Sequence, residues 1–151
     1  MVPARLAYLA FACLFTAGTP AVTCAASGDI VAGPIETKVI RVLDGDTFLA
    51  EAMIWPGQII RVSVRIRGID APEKRSKCTA ERKAAVQASA ALAALLEQTP
   101  VTISNVGGGK YYGRVLADVN AGEIRSVAAV MLSHSLVRPY HGGKRQPHCL
   151  Q

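Results

Sequence analysis

Residues 41–73 read RVLDGDTFLAEAMIWPGQIIRVSVRIRGIDAPE, and the fold is decided in this stretch. Ile60, Val62, Val64 and Ile66 alternate with Arg61, Ser63, Arg65 and Arg67, the two-residue period of a strand with one face in a core and the other charged. Upstream, Asp44-Gly45 suits a two-residue hairpin turn, and Trp55-Pro56-Gly57-Gln58 suits a second reversal. A three-stranded meander is therefore predicted: Thr37 to Leu43, Asp46 to about Ile54, and a third strand reaching Gly68. At the ends of these strands Asp46 and Asp70 can be brought together, with Glu73 one turn beyond. That is a cation site with a possible base beside it. Arg65 and Asp70 are an odd number of residues apart, so strict alternation sends them to opposite faces of the sheet. A shared site requires the strand to bulge or end near Gly68.

Outward from this stretch, residues 1 to 26 have the layout of a secretory signal. Arg5 precedes an apolar run from Leu6 to about Ala17, and small residues lead to Ala25-Ala26-Ser27. The run is too short to span a bilayer, and its removal takes away one basic and no acidic residue. The alternatives are a buried N-terminal helix and a lipid anchor through Cys24, the latter disfavoured by Thr23 before it. Residues 27–35 hold Gly, Ser and Pro and suit a flexible leader. Residues 36–140 form the expected domain, and residues 141–151 a basic C-terminal tail.

Within the domain, a basic loop, Lys74-Arg75-Ser76-Lys77, precedes a helix from Thr79 to about Glu97. Thr79 is the expected N-cap, Ala85, Ala88, Leu92, Leu95 and Leu96 share one face, and Pro100 ends the helix. A short strand from Val101 to Ser104 leads into a flexible Gly107-Gly108-Gly109 loop. The glycine run is not a phosphate-binding loop, because it lacks the Lys-Ser/Thr ending and a following helix. A strand from Gly113 to Val119 turns through Asn120-Ala121-Gly122. The last helix, Ser126 to Leu136, should pack Val127, Val130, Met131 and Leu136 inward. Pattern alone supports an α+β, mostly barrel-like fold without repeats or a second domain.

The 151 residues suffice for one domain with a proper core. A net charge of +6 and a pI near 9.4 favour a polyanionic partner. Cys13 and Cys24 fall in or beside the signal, which leaves Cys78 and Cys149. An even pair in an oxidising compartment suggests a disulfide, with two free thiols as the alternative. No histidine is tied to either cysteine by a recognisable motif, so neither is read as catalytic. His134, His141 and His148 have no metal-ligand spacing.

Three marks occur in order: Val42-Leu43-Asp44-Gly45-Asp46-Thr47; Arg65 five residues before Asp70-Ala71-Pro72-Glu73; and Lys110-Tyr111-Tyr112-Gly113-Arg114-Val115-Leu116-Ala117. Over about residues 36 to 140 they resemble the staphylococcal-nuclease-like (thermonuclease) family. The resemblance implies a five-stranded OB-fold β-barrel with two or three packed helices. It implies calcium held by Asp46, Asp70 and the backbone carbonyl of Ala71, where many relatives carry Thr. Glu73 is then the general base on water, or its orienter, and Arg65 and Arg114 clamp the phosphate. Asp44 stands behind the ligands or forms the turn, and Tyr112 stacks on or hydrogen-bonds the nucleotide.

The expected protein is a secreted or periplasmic, monomeric, calcium-dependent endonuclease acting on DNA and/or RNA. It would show little sequence specificity, leave 3′-phosphate products, and have no membrane span once the signal is removed. Taken singly, Asp44-Gly45 is an ordinary turn, Asp70 to Glu73 an ordinary loop and helix start, and Arg61 and Arg67 a solvated face. Two alternatives are a catalytically silent secreted OB-fold module holding nucleic acid or another anion, and an envelope protein attached to anionic lipid or polymer through Lys144-Arg145. The chain departs from the family in a short loop after Glu73, in Lys110 where relatives are acidic, and in a tail replacing the long C-terminal helix.

Overall fold

The alternation in residues 41–73 becomes a three-stranded meander in the computed structural model, which describes residues 29–97, 100–145 and 148–149. The expected signal segment, residues 1–26 with Cys13 and Cys24, lies outside the described residues. The meander consists of β1 (Ile35–Asp44), β2 (Thr47–Trp55) and β3 (Gln58–Ile66). Then follow β4 (Ile69–Asp70), α1 (Thr79–Leu96), β5 (Val101–Gly108), β6 (Arg114–Ala121), α2 (Val127–Ser133) and β7 (Arg138–Pro139). Strands β1-β2-β3-β6-β5 close into a barrel, with β5 returning to β1. Only β3 and β6 run parallel in it. This is the expected five-stranded OB-type barrel, here with two helices. Closure pairs every barrel strand on both sides, which removes exposed sheet edges. β4 and β7 pair separately beside it.

The inward positions of the strands form the core: Phe48 and Ala50 of β2, Val64 and Ile66 of β3, Ile103 of β5 and Ala117 of β6 are buried. Helix α1 adds Ala85, Ala88, Leu92 and Leu96 from one face. Its alanines permit a close approach. A Cβ placed on Gly45 would lie 2.6 Å from Ala88 Cβ and 2.9 Å from Ala71 Cβ. Glycine stands in the first turn because the turn is pressed between the helix and the loop after β4.

Several local expectations are corrected. The first turn is Gly45-Asp46, with Asp44 paired to Thr47, so Asp46 belongs to the turn and not to the strand. The N-cap of α1 is Cys78, with no side-chain cap; the Thr79 hydroxyl instead accepts from Arg82 Nη2 at 2.9 Å. Gly107 and Gly108 are not loop residues: they pair with Leu116 and Val115, which prolongs β5. The leader is held by backbone bonds, since Val31 pairs with Val106 and Asn105 N donates to Ala32 O at 2.8 Å. Helix α2 is shorter than its pattern, capped by Ser126 accepting from Ala129 N, with Val127 and Met131 its buried residues. Arg67 is bound rather than solvated, with Nη2 donating to Leu116 O at 3.1 Å and Nε 3.3 Å from Asp118. Among the described residues, no helix is long and apolar enough to cross a membrane.

The required break after β3 occurs. The strand stops at Ile66, and Gly68 adopts a φ of +81°, a left-handed conformation that glycine takes without a Cβ clash. The two-residue strand β4 then starts in a new direction. Arg65 and Asp70 can meet only because of this reversal.

Candidate active site

The register places Thr47 opposite Arg65, so the residue just before β2, Asp46, comes next to the Arg65 side chain. Asp46 and Asp70 are only 2% and 6% exposed. Two such carboxylates need compensating charge, and Arg65 provides it with both arms of its fork. Its Nη1 lies 2.8 Å from Asp46 Oδ1 and its Nη2 3.0 Å from Asp70 Oδ1. Thr47 Oγ1 also donates to Asp46 Oδ1 at 2.7 Å, and Ala71 N donates to Asp46 Oδ2 at 2.9 Å. The turn, the end of β3 and the segment after β4 are thus bolted together around one guanidinium.

Glu73 follows on the loop toward α1. Its backbone N donates at 3.2 Å to Glu81 Oε1, a buried carboxylate in the first turn of the helix, which fixes the loop while leaving the Glu73 side chain half-exposed. Asp44 lies at the end of β1, 3.8 Å from Lys74 Nζ, and lines the same cleft as Asp46 and Glu73. Across the cleft, Arg114 at the start of β6 stands 5.0 Å over the ring of Tyr111, a cation–π arrangement. Together Asp46, Arg65, Glu73, Tyr111 and Arg114 line a cleft of about 340 Å³. Tyr112 is fully exposed and is not among the lining residues; the ring in the cleft belongs to Tyr111.

The tail supplies a site residue that sequence reasoning did not find, Arg145, through a disulfide that it did expect. Cys78 and Cys149 form a disulfide that returns the C-terminus to the start of α1. Arg145 thereby reaches the site: Nε lies 2.7 Å from Asp70 Oδ2, Nη1 pairs with the Glu73 carboxylate and Nη2 donates to Ala71 O. His148 Nε2 lies 3.6 Å from Asp70 Oδ2 without a hydrogen bond. Burial pushes the His148 pKa down, the Arg138 charge adds to this, and Asp70 and Glu81 pull the other way. A clue to Arg145 was present in the sequence. Cys149 follows it by four residues and Cys78 follows Glu73 by five, so pairing the cysteines brings tail and Glu73 together.

Among the described residues, no group of three or more His, Cys, Asp or Glu side chains is arranged as a metal site. The oxygens that can serve are those of Asp46 and Asp70 and the carbonyl of Ala71. Two carboxylates and a carbonyl are the hard donors that calcium takes, completed by water, so the donor set fits that ion.

The family model for the staphylococcal nuclease homologue matches residues 63–148, more than half of the chain. The match begins inside β3, so Asp46 lies upstream of it, while Arg65, Asp70, Glu73, Arg114 and Arg145 fall within it. No curated protein matches the chain. A match of this extent, on a closed five-stranded barrel of the OB type, shows that the chain belongs to the family of staphylococcal nuclease homologues.

Proposed function

We propose that this member hydrolyses phosphodiester bonds of DNA and/or RNA with little sequence preference, in a calcium-dependent reaction, as a monomer exported from the cytoplasm. The observation that carries the reading is the convergence of Asp46, Arg65, Glu73 and Arg114 on one cleft from four separate segments, with Asp70 held behind its wall by Arg65. A phosphodiester is protected by its negative charge, so cleavage needs that charge neutralised, a water activated and the leaving oxygen stabilised. Asp46, Asp70 and the Ala71 carbonyl would hold calcium, which when bound supplies charge neutralisation and a place for water. Glu73 accepts the proton of the attacking water or orients it. Its half-exposed position on a loop anchored by Glu81 suits either role.

Arg114 presents its fork to the phosphate, and the Tyr111 ring beneath it limits the directions in which that fork can point. Arg65 holds Asp46 and Asp70 next to each other and offers positive charge at the same wall. Contacts to phosphate position a substrate without reading its bases, which accounts for the weak sequence preference proposed.

The test is cleavage of linear single-stranded DNA by the purified protein, with calcium and then with a chelator. Calcium-dependent cutting that disappears in Glu73→Gln supports the reading. A second reading, the silent binding module, is favoured by one observation: Arg145 engages Asp70, the Ala71 carbonyl and Glu73 together. If folded protein retards DNA on a gel and leaves it intact after long incubation, that module takes the place of the nuclease.

A further inference from the structure

We infer that Arg145 sits in the cation seat and sets how tightly a divalent cation binds there, and that the Cys78–Cys149 disulfide keeps it in place. The inference rests on the nuclease reading for the identity of the seat. Each nitrogen of the Arg145 guanidinium holds one of the oxygens on which that reading depends: Nε takes Asp70 Oδ2 at 2.7 Å, Nη2 takes the Ala71 carbonyl and Nη1 takes Glu73. The remaining aspartate oxygens are held by Arg65, Thr47 and Ala71 N. Calcium needs direct contact with such oxygens at about 2.3–2.6 Å. A guanidinium bonded to the same atoms stands where the ion would be.

Counted over the groups that pair directly with one another here, charge favours exchange over joint occupancy. Asp46, Asp70 and Glu73 bring three negative charges, against two positive charges from Arg65 and Arg145. Exchanging Arg145 for a divalent ion leaves this cluster neutral. Holding both leaves an excess positive charge beside two nearly buried aspartates, where charge is weakly screened. Arg145 is also the guanidinium better placed to leave. Its side chain is 36% exposed against 21% for Arg65, which in addition donates to Ile69 O at 3.3 Å.

The tether explains why an arginine from the tail can compete at all. Cys149, four residues beyond Arg145, is bonded to Cys78, five residues beyond Glu73. Return of the side chain to the seat is intramolecular in any case, and the short connection through the disulfide raises its effective concentration, while the ion must come from solution. Releasing the tail reduces that advantage.

Calcium is the probe, titrated by calorimetry into the disulfide-bonded full chain and into Arg145→Gln, whose disulfide is intact. The expected result is a Kd lower by about tenfold or more in the variant, equivalent to about 1.4 kcal/mol. Cys149→Ser, checked for folding by circular dichroism, should shift the Kd in the same direction. Equal or weaker calcium binding in Arg145→Gln overturns the inference, and a Cys149→Ser Kd equal to that of the unaltered chain overturns the role of the tether. DNA cleavage read in parallel separates the two proposals. Cutting by the unaltered chain with no change of Kd in Arg145→Gln leaves the nuclease and removes the competition. Tighter calcium binding in Arg145→Gln with no cutting by either protein does the reverse.

Discussion

Arg61 and Arg65 lie on one face of β3, four residues apart, and each pairs closely with a carboxylate. Arg61 Nη2 is 2.9 Å from Glu51 Oε1, across the ladder on β2, with the arginine side chain 65% exposed. Arg65 bridges Asp46 and Asp70 at similar distances, but those aspartates are almost wholly buried. The ladder around them differs in the same sense. Near Arg65, Thr47, Phe48 and Val64 are buried; toward the other end, Met53, Trp55 and Ile59 are exposed. Both ends share one strand pair and one alternation. What separates them is cover: the turn at Gly45, helix α1 and the disulfide-bound tail close over one end, and no described residue closes over the hairpin tip. An ion pair becomes a site where neighbouring elements exclude water, and stays a surface contact where they do not.

The largest expected effect is at the covered pair. Arg65→Gln leaves buried Asp46 without its cation and Asp70 with Arg145 alone, and should lower stability by about 3–5 kcal/mol, read by thermal unfolding, as well as abolish measurable cleavage. An unchanged melting temperature would erase the distinction between the two arginines. Cys149→Ser removes the covering tail instead of the pair, and should cost about 2–4 kcal/mol in the same measurement. Its effect tests how much of the cover is the tail.

Glu73→Gln is predicted to leave the melting temperature nearly unchanged, because the side chain is half-exposed, while single-turnover cleavage falls by at least about a hundredfold. A matching loss of stability would make Glu73 a structural residue like Asp46. At the uncovered end, Trp55→Ser should change stability by less than about 0.5 kcal/mol and leave cleavage as it was.

The smallest effect belongs to Glu51. Arg61 holds its carboxyl below the usual value of 4.5 by a hydrogen bond, so the folded chain releases this proton more readily than the unfolded one. The associated stabilisation is present above pH 4.5 and is lost as pH falls through the lowered folded value. Glu51→Gln should flatten that part of the acid unfolding curve only slightly, and added salt should hide the change.

Much of the barrel was legible because its cause is local. The alternation from Ile60 to Arg67 specifies a half-buried strand, Pro56-Gly57 specifies a reversal, and the parity of Arg65 and Asp70 required the break found at Gly68. Errors arose where a partner distant in sequence decided the conformation. Gly107 and Gly108 have low intrinsic preference for strand but are paired by β6, and the leader is held by β5. The first turn lies one residue later because Asp44 pairs with Thr47 across the ladder, which leaves Gly45 and Asp46 between them.

By itself the sequence determined the order of the elements, the meander, and the carboxylates and arginines available for a site, since periodicity and turn chemistry act over a few residues. Only the tertiary structure decided which charges are covered, that Tyr111 and not Tyr112 lines the cleft, and that Arg145 lies across Asp70, Ala71 and Glu73. Burial and charge compensation depend on segments brought together from distant parts of the chain: the cysteine spacing brings the tail near Glu73, and only the fold decides which atoms Arg145 meets there.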